Sequence, residues 1–173
     1  MVSGLVSDGP GRTSVDVATV RAALAEIPDP EIPVVSIVDL GMVESVTVGG
    51  DGIEVELLPT FIGCPAVDMI RAAIEERLGA FGRPVRVDVT YRVPWTSDRI
   101  SDAGRERLRR SGFAPPQSGG GELPVLVRLA TPVPCPHCGS RRTVLENAFG
   151  PTQCRAIHHC TACRQPFEAF KPV

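Results

Sequence analysis

Four cysteines near the end of the chain form two C-x-x-C pairs, Cys135 and Cys138 in "CPHC" and Cys160 and Cys163 in "CTAC". Two intervening residues let both sulfurs of a pair reach one ion from a tight turn. Two such knuckles complete a tetrahedral site of four thiolates. Gly139, just after the first knuckle, suits the backbone bend such a turn needs. The spacing predicts a structural metal site holding one zinc ion. Iron, in a rubredoxin-like or cluster form, is the alternative, because spacing alone does not choose the metal. Reduced free cysteines in a tail would leave the segment with no means of folding. Metal binding supplies on the order of 10 kcal/mol to such modules. A fifth cysteine, Cys154, lies between the knuckles with His158 and His159 close behind. It is a spare thiol, a buried apolar residue or a substitute ligand, and two knuckles already fill four positions. His137, inside the first knuckle, is expected to face away from the ion.

The sixth cysteine, Cys64, stands apart in "TFIGCPAVDMI", between Gly63 and Pro65 and just before a helical pattern. With Pro65 at the first helical position, Cys64 would be the N-cap or its neighbour. The free N–H groups there would favour a thiolate and lower its pKa. The residue reads equally as a small cysteine packed under a sheet. No histidine is near in sequence to form a Cys–His pair, which speaks against acyl-transfer catalysis. "DPEIP" puts two carboxylates, Asp29 and Glu31, on either side of Pro30 in a stiff loop. Turn chemistry explains them as well as metal ligation does. Arg105, Arg107, Arg109 and Arg110 read as a solvated or partner-facing helix surface.

These groups must be held by elements that the hydrophobic pattern outlines. Ser14 is a candidate N-cap, with Asp16 in the first turn. Val17, Val20, Leu24 and Ile27 recur at helical spacing until "PDPEIP" stops the helix. Alternation at Val46 and Val48, a "GGDG" turn, then Ile53, Val55 and Leu57 predict a β-hairpin. Val67, Ile70, Ile74 and Leu78 predict a second helix ended by Gly79 or Gly82. "PVRVDVTY" reads as a third strand and "SDAGRERLRRSG" as a short polar helix. The order helix, hairpin, helix, strand, helix makes a compact α+β domain over residues 14–113, after an unstructured 1–13. A linker over 114–122 follows. Residues 123–173 then form a small β module of zinc-ribbon type, opening on the strand-like "VLVRL", with too few large apolar residues for a core of its own.

Composition excludes several function classes. The 173 residues are 43% hydrophobic, enough for a core, but only 5% aromatic, which leaves little for a base-stacking surface. The net charge of -2 argues against nucleic-acid binding, whose affinity rests on neutralising phosphates. "MVSGLVSDGPGRTS" has no basic n-region or apolar run of signal length, and no apolar stretch reaches about 18 residues. The expectation is a cytoplasmic chain with no membrane span, in which clustered thiols are metal ligands or reactive groups rather than disulfides.

"DPEIPVVSIVDLGMV", "LLPTFIGCPAVDMI" and "VTYRVPWTSDRISDAGRERL" resemble the small iron–sulfur assembly domain of SufT and of the cytosolic iron–sulfur targeting factors. "CPHCGS" and "FGPTQCRAIHHCTACRQPFEAFKPV" are similar to the tail of the PaaD family, accessory proteins of the phenylacetyl-CoA epoxidase system. The resemblance implies a factor that matures iron or iron–sulfur centres and is not itself catalytic. Its partners would be the oxygenase and reductase subunits of the epoxidase and the iron–sulfur assembly machinery. It also implies that the functional features are the DPE loop (Asp29, Pro30, Glu31) and the cysteine of the GCP motif, Cys64, handling iron or a cluster transiently. The FG-x-T-x-C segment recurs in that family, which reopens a role for Cys154. The competing classes are an integral subunit taking part in the epoxidase reaction and a zinc-ribbon nucleic-acid binder.

Overall fold

The computed structural model describes residues 15–116 and 132–171. The expected Ser14 cap, the unstructured 1–13, the "VLVRL" strand and most of the linker lie outside them. Helix α1 is Val17–Leu24. Its cap is Asp16, not Ser14: the Asp16 carboxylate accepts from Thr19 N at 2.8 Å, so the helix starts at Val17, two residues later than a Ser14 cap would put it. Strands β1 (Val43–Gly49) and β2 (Gly52–Leu57) form the antiparallel hairpin, Val46 facing Val55 and Val48 facing Ile53. Gly52 has φ +136°, and a Cβ there would lie 2.3 Å from the Pro84 carbonyl oxygen, so only glycine fits where the hairpin meets the next strand.

Helix α2 (Val67–Gly79) buries Ile70, Ile74 and Leu78, and the chain returns as β3 (Val85–Val89), parallel to β2. The three-stranded sheet has the order β1-β2-β3. α1 and α2 cover one face, where Val20, Leu24, Ile70 and Ile74 meet Ile53, Val55, Leu57 and Val87. A 3-10 turn at Ser97–Arg99 leads to α3 (Asp102–Arg110), capped by the Ser101 hydroxyl accepting from Gly104 N at 2.9 Å. No helix among the described residues is long and apolar enough to cross a membrane.

Arg107, Arg109 and Arg110 form the exposed helix surface that the sequence suggests, each beside a carboxylate, and Arg105 alone departs from it. Arg105 is turned inward and donates to the Ser97, Ile100 and Pro116 carbonyls. Arg107 pairs with Asp39, and Arg109 and Arg110 share Glu106. The Ser97 and Ile100 carbonyls before the helix and the Pro116 carbonyl beyond it draw Arg105 in.

The C-terminal segment forms a second sheet in the order β4-β7-β6-β5. Its strands are Phe113–Ala114 (β4), Thr143–Asn147 (β5), Arg155–Cys160 (β6) and Pro166–Phe170 (β7). The last three are antiparallel neighbours, whereas β4 runs parallel to β7. Strand β4 is contributed by the chain just after α3, so the second sheet begins inside the stretch assigned to the first domain. Its own apolar cluster is small: Ala114, Cys135, Cys160, Phe167 and Ala169. Phe170 instead enters the main core, 2% exposed, with its ring centroid 5.6 Å from Trp95 and 6.4 Å from Phe113. The ribbon is docked on the α+β domain, sharing a strand and two core residues, Cys154 and Phe170, with it.

Candidate functional site

The two knuckles are built alike. In the first, Cys135 N donates to Ser140 O at 2.9 Å and Gly139 N to Cys135 O at 2.8 Å. In the second, Cys160 N donates to Gln165 O at 3.0 Å and Arg164 N to Cys160 O at 2.8 Å. The position four residues after the first cysteine is left-handed in both, Gly139 at φ +72° and Arg164 at φ +62°. A side chain in that region costs about 1 kcal/mol that glycine does not incur. Arg164→Gly is therefore expected to stabilise the ribbon by about 1 kcal/mol, read as a higher denaturant midpoint; a lower midpoint would show that the Arg164 side chain makes contacts worth more than the strain.

The sulfurs of Cys135, Cys138, Cys160 and Cys163 all lie within 4.8 Å of one another. Cys135–Cys163 is 3.7 Å and Cys138–Cys160 is 3.6 Å. These are not disulfides, whose sulfurs stand about 2.05 Å apart. They match the edge of a tetrahedron of about 3.8 Å that follows from metal–sulfur bonds of about 2.3 Å. The donor set thus fits a divalent ion held by four cysteines, with no coordination position left open. The Cys163 and Ala162 N–H groups hold the Cys160 thiol below its ordinary range. His137 is not among the donors; its ring lies over Gly112, 3.1 Å from where a Cβ would stand.

The second group of residues lies where the ribbon meets the α+β domain. In the DPE loop, the buried Asp29 carboxylate accepts from Glu31 N at 2.9 Å and Ile32 N at 2.8 Å, and Asp29 N donates to Val35 O at 2.9 Å. Burial raises the Asp29 pKa against these hydrogen bonds. Asp29 therefore shapes the loop, and Ile32 and Val35 anchor it in the core. Glu31 is left half-buried at the tip.

Cys64 is not at the N-cap. Its N–H donates to Phe61 O at 3.2 Å, its carbonyl accepts from Val67 N at 3.3 Å, and α2 is entered through Ala66. Nor is its thiol acidified. Burial pushes the pKa up, the charges of Glu31 and Asp29 add to the rise, and the Ala66 and Val67 N–H groups pull down without prevailing. Dipole reasoning from sequence missed this because the burial of the thiol, and the two carboxylates that add to it, come from segments distant in the chain.

Cys154 comes to the same place from the ribbon. It is 5% exposed, and its sulfur lies 3.6 Å from Glu31 Oε2 and 3.1 Å from the Thr152 hydroxyl. Burial pushes its thiol up to about 11, helped by the Glu31 charge. Arg155, the next residue, clamps the junction: Nη2 donates to the Glu31 carbonyl, Nη1 pairs with Glu168 at 2.9 Å, and the guanidinium stands 5.8 Å from the Phe113 ring centroid. Nothing in the sequence marks Arg155, since its partners come from a distant loop and a neighbouring strand. A cavity of about 260 Å³ is lined by Glu31, Pro65, Thr152 and Gln153, the residues beside Cys64 and Cys154. Two large apolar side chains close by, Ile62 and Phe149, are 85% and 80% exposed.

Comparisons with known proteins agree with this two-part architecture. Residues 17–90 match the family described as "Iron-sulfur cluster assembly protein", and residues 123–171 match "PaaD zinc beta ribbon domain". The chain is 43% identical over 155 residues to an Escherichia coli strain K12 protein named as a subunit of a "Putative 1,2-phenylacetyl-CoA epoxidase", covering 88% of this chain and 90% of that one. It is 38% identical over 95 residues to a Porphyromonas gingivalis "Fe-S protein maturation auxiliary factor", 52% of this chain and 85% of the other. Among solved structures, a domain of unknown function, DUF59, from Bacillus anthracis is 28% identical, spanning 53% of this chain and 89% of its own, with a TM-score of 0.49. With an iron–sulfur assembly domain carrying a four-cysteine ribbon, and that identity to an epoxidase subunit along nearly its whole length, the chain belongs to the PaaD family.

Proposed function

We propose that this chain is a non-catalytic maturation factor that delivers iron or an iron–sulfur centre to the oxygenase or reductase component of phenylacetyl-CoA epoxidase, with Cys64 as the transfer thiol beside the Asp29-Pro30-Glu31 loop. The observation that carries the reading is a half-buried thiol whose neighbour Pro65 lines one cavity with Glu31, and whose pKa is raised by burial and by the nearby carboxylates. Such a thiol stays protonated until a cation arrives, and the cation then takes the place of the proton. One thiolate with open coordination can bind and release, which a closed set of four cannot. The ribbon cysteines Cys135, Cys138, Cys160 and Cys163 would hold zinc, whose role there is to fix the fold. Membership of a family that includes an epoxidase subunit and similarity to an iron–sulfur maturation factor support the choice of client.

Cys64→Ala tests this reading. It removes part of one half-buried side chain, so stability should change by less than about 1 kcal/mol and the ribbon metal should stay. Iron in epoxidase components isolated from cells carrying the variant should fall several-fold, and growth on phenylacetate should be lost. Epoxidase with its normal iron content in that background would make Cys64 a packing residue. The name of the Escherichia coli relative favours a second reading, an integral subunit needed during turnover. The two part on one measurement: fully metallated epoxidase that turns over without this chain leaves only the maturation role.

A further inference from the structure

We propose that Cys154 and Glu31 form the second half of the cargo seat, a thiol from the ribbon and a carboxylate from the DPE loop that bind a divalent transition-metal ion together with Cys64. This rests on the reading of Cys64 given above and adds a ligand set to it. Three features of the junction carry it. The Cys154 sulfur lies 3.6 Å from Glu31 Oε2, and a carboxylate is a poor neighbour for a cysteine that merely fills a core. Both donors are held in place, and to one another. Lys171 N donates to the Cys154 carbonyl at 2.8 Å, while the turn at Asp29 and the Arg155 clamp hold Glu31. Finally, the cavity beside them is bordered by Pro65 on the Cys64 side and by Thr152 and Gln153 on the Cys154 side.

Thiolate and carboxylate together suit borderline divalent ions such as Fe²⁺, Co²⁺ and Zn²⁺, and do not suit Mg²⁺ or Ca²⁺. Among the described residues, only the ribbon cysteines bring three or more donor atoms within 4.8 Å of one another. The Cys64, Cys154 and Glu31 set is therefore open, and an ion must draw Cys64 toward the other two or take a further ligand from water or a partner. An open seat of mixed donors releases its ion more readily than the four-sulfur cage. Binding one M²⁺ through two thiolates forms two metal–sulfur bonds and displaces the two thiol protons to the solvent.

The test uses the full chain with its ribbon already loaded with zinc, titrated anaerobically with Co²⁺. The wild type should bind one further cobalt with sulfur-to-cobalt charge-transfer absorption of two thiolates and a release of two protons per ion near neutral pH. Cys64→Ser and Cys154→Ser should each halve that absorption, and Glu31→Gln should weaken binding about tenfold. Full absorption and affinity in Cys154→Ser, with loss in Cys64→Ser, would overturn this proposal and leave the Cys64 reading standing. Indifference to both substitutions would overturn both. Should Cys154→Ser fail to fold, the proton count in the wild type decides, since a single proton per cobalt excludes a second thiol.

Discussion

Serine in place of Cys160 is expected to release the ribbon metal, unfold residues 132–171 and loosen the α+β domain as well. The sulfur of Cys160 is one of four that meet within 4.8 Å, and the ribbon's own apolar cluster of five residues, two of them cysteines, cannot hold three strands together without the ion. Sequence spacing alone suggests that the α+β domain would be indifferent to this loss. The docked geometry says otherwise. Phe170 is packed against Trp95 and Phe113, and Cys154 lies in the same core, so unfolding of the ribbon strips cover from both aromatic rings. Withdrawal of a buried phenylalanine costs about 3–5 kcal/mol, which is a large share of the stability of a domain this size. Trp95 is the single tryptophan of the chain, so its emission reports directly on the docking surface. The expected outcome is a Cys160→Ser protein without ribbon metal, with red-shifted Trp95 emission and a lowered midpoint for the remaining domain. Full metal occupancy would show that the ligand set is wrong; loss of the metal with unchanged Trp95 emission would show that the two parts are independent.

The parts of the molecule that were legible in the sequence are those governed by local periodicity. Val46, Val48, Ile53, Val55 and Leu57 alternate, and they pair across the hairpin. Ile70, Ile74 and Leu78 recur at helical spacing, and α2 buries all three. The knuckles were legible because two residues between cysteines is a geometric requirement rather than a preference. Contacts between distant segments left no such trace. The acidity of Cys64 could not be read from "GCPAV", because burial of the thiol, with Glu31 and Asp29 adding to it, outweighs the local N–H groups. Arg105 looks like its neighbours on a polar helix, yet three carbonyls outside that pattern turn it inward. Cys154 read as surplus because ligand counting within the ribbon is complete without it. Only the docking of β6 and β7 on the DPE loop brings its sulfur to Glu31.

Arg155→Met should separate the ribbon from the DPE loop without removing the ribbon metal. The guanidinium is 14% exposed and is the only described side chain that donates to the Glu31 carbonyl, while it also pairs with Glu168 on β7. Methionine keeps much of the apolar contact with Phe113 and leaves both oxygens without their donor. A buried charge pair broken on one side costs about 3–5 kcal/mol, and the partial exposure of Glu168 puts the expected loss toward the lower end of that range. Arg155→Lys should recover little, because one ammonium cannot reach two oxygens in the fixed directions of the guanidinium fork. The four cysteines are untouched, so the ribbon metal should remain at one per chain and the ribbon strands should keep their amide protection. What changes is the junction: Cys154 and Glu31 lose the group that ties one backbone to the other, and cobalt binding at the open seat should weaken at least tenfold. Retention of the ribbon metal together with a loss of stability and of second-site binding is a combination that neither a ribbon defect nor a Cys64 defect produces. Unchanged melting of Arg155→Met would mean that Phe170 and the β4–β7 pairing hold the junction by themselves, and that the guanidinium contributes nothing to bringing Cys154 against the loop.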